Sequence, residues 1–242
     1  MRINILGVGF DNLSFEEALD AALELTRRGG YCVTPNPEIV MAARRDSAFA
    51  ETVNGANLVV ADGIGVIYAA KLLGTPIKAK IPGIDLAEAL MARLAREPGN
   101  RGVFLFGAKP GIAELAAEKL AEKYSALSIA GTQNGYGYDE SAVMTAIAAA
   151  KPVLVLVCLG AVKQERFMRR FRAEFAGLPC LLMGLGGALD VLSGTLDRAP
   201  DAWRRRNSEW LYRLLKQPSR IKRMIKLPLF LLAALWGRIF KC

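Results

Sequence analysis

Asp62 stands in Ala61-Asp62-Gly63-Ile64-Gly65, directly after an apolar run at 58–61. A carboxylate just beyond a buried strand, beside a glycine that lets a ligand approach the backbone, is placed to take a proton from a substrate hydroxyl. The alternative is a turn aspartate capping the next helix, because Asp-Gly is a common turn pair. Thr34 and Asn36 lie in a loop stiffened by Pro35 and Pro37, and offer groups for sugar hydroxyls or phosphate, or serve only the turn. The chain has no histidine, which removes the commonest general base and metal ligand and excludes Ser-His and Cys-His catalysis. It also lacks Asp-x-Asp, so a divalent ion holding a diphosphate has no evident ligand cluster; we expect no metal and no cofactor. The charge of a departing nucleotide diphosphate then falls to cationic side chains, for which Lys109, Lys163 and Arg166 are candidates in the body, each with a solvated surface charge as its alternative.

These residues need a scaffold, and the apolar pattern supplies one. Short apolar runs at 31–33, 58–61, 103–106, 128–131, 153–159 and 180–183 read as buried strands, each followed by a Gly, Pro, Asn or Asp cluster and most then by a helical stretch. Ser14-Phe15-Glu16-Glu17 is a capping box that opens a helix towards Gly29-Gly30, and 113–124 has the apolar spacing of a crossover helix. The expected fold is α/β, a single Rossmann-like domain with a mostly parallel sheet over residues 1–199. In such sheets ligands bind beyond the carboxyl ends of the strands, which is where the polar clusters fall. Gly107 opens Gly107-Ala108-Lys109-Pro110-Gly111, a weak candidate for cradling phosphate. Gly184-Leu185-Gly186-Gly187-Ala188-Leu189 departs from the dinucleotide fingerprint at its last position, and no Walker A pattern occurs, so a dehydrogenase and a P-loop NTPase are disfavoured.

Residues 200–242 form a basic appendage. They hold eleven Lys and Arg against only Asp201 and Glu209, which accounts for the whole formal charge of +9, and they interleave these with Trp203, Trp210, Tyr212, Phe230, Trp236 and Phe240. A helix is expected over 202–216 and a second basic helix beyond Pro218; Arg213, Lys216, Arg220 and Arg223 would share a stripe if the helix ran on. The apolar run 227–236 spans only about 15 Å as a helix, against about 30 Å of hydrocarbon, so it can lie in a membrane interface but not cross it. An anionic membrane surface is the expected partner; the run is too apolar for a nucleic-acid arm, although a nucleic-acid-binding protein and a silent membrane adaptor are the rivals from other classes. The N-terminus lacks a signal-peptide core and the four cysteines lack CxxC spacing, which gives an expectation of reduced thiols and a cytoplasmic protein, peripheral on the inner leaflet of the membrane.

Six motifs in order carry a resemblance that covers nearly the whole chain. They are Thr34-Pro35-Asn36-Pro37-Glu38-Ile39-Val40, Ala61-Asp62-Gly63-Ile64-Gly65-Val66, Phe104-Leu105-Phe106-Gly107-Ala108-Lys109-Pro110-Gly111, the stretch 131–136, Leu159-Gly160 with Lys163-Gln164-Glu165, and Gly186-Gly187 with Asp190, followed by the appendage segment that starts Glu209-Trp210-Leu211-Tyr212-Arg213-Leu214. The sequence resembles the WecG/TagA/CpsF family of glycosyltransferases. That resemblance implies inverting, metal-independent transfer of N-acetylmannosamine from a UDP donor to undecaprenyl-diphosphate-linked N-acetylglucosamine, giving a β-1,4 disaccharide for teichoic acid linkage units or related surface glycans; the closest alternative is another donor, such as an N-acetylmannosaminuronic acid or glucosyl nucleotide. It implies Asp62 as the base, with Thr34, Asn36 and Gln164 lining the same site. Tyr136 and Asp190 fall on the nucleotide side, and Gly107, Lys109, Lys163 and Glu165 join the substrate-binding set. Lys80 precedes Ile81-Pro82-Gly83-Ile84-Asp85 where the family pattern carries Arg, which keeps the charge but loses the bidentate fork. Arg213, Arg220 and Arg223 match appendage positions that reach the diphosphate, and the resemblance leaves room for homo-oligomers.

Overall fold

The computed structural model describes residues 1–97, 99, 102–216 and 226–240. The chain opens with an antiparallel hairpin, β1 (Arg2–Ile5) and β2 (Val8–Asp11), then alternates helix and strand: α1 (Phe15–Arg28), β3 (Gly30–Val33), α2 (Pro37–Ala43), α3 (Ser47–Asn54), β4 (Leu58–Val59), α4 (Ile64–Leu72), α5 (Gly83–Leu94), β5 (Val103–Gly107), α6 (Ile112–Lys123), β6 (Ile129–Gln133), α7 (Glu140–Ala150), β7 (Leu154–Cys158), α8 (Lys163–Glu174), β8 (Leu181–Gly184) and α9 (Ala188–Leu192). The appendage contributes α10 (Asp201–Arg205), α11 (Glu209–Lys216) and α12 (Lys226–Phe240).

Strands β3 to β8 form one parallel sheet in the order β4-β3-β8-β7-β5-β6. All six runs expected as strands are these six. Five of them are buried throughout, and their near-continuous apolar character follows from burial on both faces, whereas β6, expected to be buried, is a partly exposed edge strand. In β5 and β7, Val103, Leu105, Leu154 and Leu156 face one core, while Phe104, Phe106, Val155 and Val157 face the other. The first core takes α1, α5, α6 and α9; the second takes α2, α3, α4, α7, α8 and the hairpin. The sheet is therefore doubly wound, as the Rossmann-like expectation required. The capping box at Ser14 is formed, with Glu17 N–H donating to Ser14 Oγ and Ser14 N–H to the Glu17 carboxylate.

Two features differ from the sequence reading. The N-terminal hairpin turns on Leu6 and Gly7, both with positive φ, and Asn4 Oδ1 accepts from Gly7 N–H. A two-residue turn of this kind usually announces itself as Asn-Gly, and Leu6 hides it. The helix expected over 202–216 is broken in two. Asn207 takes the left-handed conformation (φ 55°), Ser208 N–H and Oγ both donate to Trp203 O, and Ser208 O then accepts from Leu211 and Tyr212 as the next helix begins. Asn tolerates positive φ and Ser favours a helix start, so the pair stops one helix and starts another.

The last helix divides the apolar run in two. Phe230 and Ala234 are wholly buried in the second core against α2 and α4, whereas Leu229, Leu232, Leu235 and Trp236 are exposed. Docking is close: a Cβ on Gly65 of α4 would lie 2.6 Å from Leu227 Cδ1 and 2.7 Å from Pro37 Cγ. Among the described residues no helix is long and apolar enough to cross a membrane.

Candidate active site

The cleft lies where neighbouring strands send their chains to opposite faces. After β3 the chain enters α2 on one face, and after the adjacent β8 it enters α9 on the other, which opens a crevice at the strand ends. A cavity of about 210 Å³ occupies it, lined by Thr34, Asn36, Asp62, Gly160, Gln164 and Gly186 among others. A second cavity of about 250 Å³ adjoins it and shares Asn36, Glu38, Asp62, Pro82 and Glu209; its remaining walls include Ile64, Gly65, Lys80, Trp210 and Leu227. Asp62 thus sits at the junction between a polar crevice and a compartment walled by apolar side chains from α4, α11 and α12.

Local structure fixes each polar group. Asn36 caps α2, its Oδ1 accepting from Glu38 N–H at 2.9 Å and Ile39 N–H at 3.1 Å, so its Nδ2 is the group it has left to offer. Thr34 is buried, and its hydroxyl donates to Gly184 O at 2.9 Å, which leaves oxygen lone pairs as acceptors. The Asp62 backbone N–H donates to Pro35 O, tying the β3 and β4 loops together. Gln164 is buried on the first turn of α8; its Oε1 accepts from Gly186 N–H and its Nε2 donates to Glu165, each at 2.8 Å. Gly184 leaves room for this arrangement, since a Cβ there would lie 2.9 Å from Gln164 Nε2 and 2.8 Å from Met168 Cε and would move both side-chain ends.

The sequence-derived residues fall into three groups. Thr34, Asn36, Asp62 and Gln164 meet in the cleft, and Lys80 lines the second cavity while its Nζ donates to Asn207 Oδ1 at 2.7 Å. Gly107, Lys109, Tyr136, Lys163 and Asp190 lie outside the cleft lining. Gly107 ends β5, the Lys109, Tyr136 and Lys163 side chains are exposed, and Asp190 sits on α9 where its backbone oxygen accepts from Ser193 and Thr195. Gly135 N–H donates to Ala108 O, which gathers the β5 and β6 loops on the far side of β7. Arg166 pairs with Asp46 at 2.7 Å. Glu165 is fully buried behind Gln164, and burial pushes its carboxyl above the usual carboxylate range, partly offset by hydrogen bonds from Gln164 and Val162. The Arg213 side chain, Arg220 and Arg223 lie outside the described residues.

Sequence reasoning did not nominate Glu38 and Glu209, which line both cavities beside Asp62, although both stand inside motifs it quoted. Nor did it single out Arg198, Arg204 and Arg205, which with Lys80 line a third cavity of about 440 Å³ next to the second. Arg198 is held there by Asp85 and Glu88, and Arg204 by Asp201. Arg204, Arg205 and Glu209 reach this cavity because the appendage returns over the loop before α5. Among the described residues no three His, Cys, Asp or Glu side chains are grouped to share a metal ion.

The model of the WecG/TagA/CpsF glycosyltransferase family matches residues 3–241. The chain belongs to this family. It is 35% identical over 232 residues to the N-acetylglucosaminyldiphosphoundecaprenol N-acetyl-β-D-mannosaminyltransferase of Bacillus subtilis strain 168, covering 96% of this chain and 89% of that one. The proteins of the same name from Bacillus spizizenii and Staphylococcus aureus strain MW2 are 34% and 33% identical, over 92% and 95% of this chain and 85% and 91% of theirs. Family membership makes the protein a glycosyltransferase.

Proposed function

We propose that the protein transfers N-acetylmannosamine from UDP-N-acetylmannosamine to undecaprenyl-diphosphate-linked N-acetylglucosamine, forming a β-1,4 bond in teichoic acid linkage-unit or related surface glycan synthesis. The observation that carries this reading is the position of Asp62, at the junction of the polar crevice and the apolar-walled cavity. Its support from outside the site is the shared name of the three relatives.

In the mechanism, Asp62 accepts the proton of the acceptor 4-hydroxyl as that oxygen attacks the anomeric carbon of the donor from the face opposite UDP. The new C–O bond forms as the bond to the UDP oxygen breaks, and the anomeric centre inverts. Thr34 accepts and Asn36 and Gln164 donate hydrogen bonds to sugar groups in the crevice. The β5 and β6 loops, with Gly107, Lys109 and Tyr136, and the ends of α8 and α9, with Lys163 and Asp190, hold the nucleotide side. Positive charge from Lys80 and Arg205 stabilises diphosphate oxygens at the cleft, Arg198 and Arg204 being paired with Asp85, Glu88 and Asp201, and the appendage residues Arg213, Arg220 and Arg223 add to it.

The lipid enters from the second cavity. Trp210, Leu227 and Ile64 line its wall, and on the opposite face of α12 Leu229, Leu232, Leu235 and Trp236 form an exposed apolar surface. We read this face as the part of residues 200–242 that lies on the cytoplasmic leaflet, with the basic residues nearby each contributing about 1 kcal/mol at an anionic surface. The test is UDP release that depends on a lipid-diphosphate N-acetylglucosamine acceptor. A folded protein that binds UDP but releases none with this donor and acceptor would overturn the substrate assignment.

A further inference from the structure

Glu165 is a buried carboxylate, at 0% exposure, to which the transfer mechanism gives no chemical step. Its two oxygens are both engaged: Oε2 accepts from Val162 N–H at 2.7 Å and Oε1 from Gln164 Nε2 at 2.8 Å. Val162 is a β-branched residue at φ 74°, a conformation that persists only where its surroundings hold it, and the Glu165 carboxylate grips its N–H.

A primary amide such as that of Gln164 can be placed either way round, and its neighbours decide. Here Gly186 N–H, a donor, faces one end of the amide and the Glu165 carboxylate, an acceptor, faces the other. Reversing the amide would set N–H against N–H and oxygen against carboxylate, losing both bonds. With Oε1 committed to Gly186 and one Nε2 hydrogen to Glu165, the second Nε2 hydrogen is what Gln164 has left for the cleft. The same relay reaches Thr34, whose hydroxyl donates to Gly184 O two residues before Gly186. Loop 184–186 is thereby pinned from the β3 side by Thr34 and from the α8 side by Gln164.

We propose that Glu165 is a positioning residue for glycosyl transfer: it locks the Gln164 amide in the orientation that presents an N–H to the substrate, and holds the turn from which α8 and Gln164 project. Glu165 itself touches no substrate. The proposal rests on the reading of the cleft as the transfer site, and its test separates the two.

The test is Glu165→Gln, which keeps the volume and removes the charge, measured with Gln164→Ala and the double variant. Gln at 165 has a single oxygen, so it cannot accept both bonds. Expected is a fall in kcat of about 10- to 100-fold, with UDP affinity retained and the protein folded at neutral pH. In the Gln164→Ala background the same change should cost less than about 2-fold, because the two residues act as one unit. Multiplicative losses, or an unaltered kcat in Glu165→Gln, would overturn the proposal. An activity-independent readout is the side-chain amide resonance of Gln164, assigned by its loss in Gln164→Ala. Slowed hydrogen exchange of that amide in the parent, lost in Glu165→Gln, is the expected result; identical exchange in the two proteins would refute the lock. If the parent protein transfers no sugar, the functional reading fails while the exchange experiment still decides the lock.

Discussion

Phe230 and Trp236 lie six residues apart on α12 and should fail in opposite ways. The Phe230 ring is fully buried against α2 and α4, while Trp236 is 65% and Leu232 61% exposed. Truncating a fully buried Phe typically costs about 3–5 kcal/mol in lost transfer energy and cavity formation. For a domain of this size each kcal/mol moves Tm by about 2–4 °C, so Phe230→Ala should lower Tm by about 6–20 °C if α12 unfolds with the body. If α12 instead detaches alone, the same cost lowers its docked population by about 100-fold or more. That would appear as protease cleavage within α12 with the body's Tm preserved. Either outcome should also impair transfer, because Leu227 and the second cavity depend on the docked helix. Leu232→Ala with Trp236→Ala should leave Tm within about 2 °C, since exposed positions contribute little, yet weaken binding to anionic phosphatidylglycerol vesicles at least about 10-fold. Circular dichroism melts, limited proteolysis and vesicle flotation on the parent and the two variants read these effects. A Phe230→Ala protein with unchanged Tm and unchanged proteolysis would refute the docking of α12. Unchanged flotation of the double variant would refute the membrane face.

Two further perturbations probe the cleft. Gly184→Ala should push Gln164 and Met168 aside and lower kcat at least about 10-fold, with a stability loss of about 1–3 kcal/mol from overpacking, checked by steady-state kinetics and melting. Burial raises the Glu165 carboxyl above 4.5, so the folded state binds a proton that the unfolded state has already released. Its contribution to stability is fully present below the unfolded pKa and is lost as pH rises through the raised folded value. Relative to the parent, Glu165→Gln should therefore gain stability as pH climbs from about 4.5 towards neutrality, measured by urea denaturation at stepped pH.

The sheet was legible because burial on both faces writes five of its strands as short continuous apolar runs, and each of the six, the partly exposed edge strand β6 included, ended in a turn cluster. The four cleft residues Thr34, Asn36, Asp62 and Gln164 were legible for a related reason: strand-end loops are where such folds bind ligands, and family motifs marked those loops. What the chain concealed was contact between distant segments. Arg204 and Glu209 look like ordinary surface charges until the appendage folds back over the loop before α5. Phe230 and Ala234 read as part of a uniform membrane-seeking run, because one helix face seeks the core and another is exposed while both are apolar. Glu165, quoted beside Gln164 as a substrate contact, holds its neighbour from behind; adjacency in sequence says nothing about which side chain faces the cavity. The Leu6-Gly7 hairpin and the Asn207 break were decided by single backbone conformations that residue preference alone does not announce.

The central claim is that Asp62 is the base for sugar transfer to a lipid-linked acceptor. The direct measurement compares the parent protein with Asp62→Asn, given UDP-N-acetylmannosamine and a short-chain lipid-diphosphate N-acetylglucosamine in EDTA, following UDP release and the disaccharide-lipid by mass. Expected are acceptor-dependent release by the parent and a loss of about 10²- to 10⁴-fold in the variant, with UDP binding retained. Near-normal turnover by Asp62→Asn would contradict it.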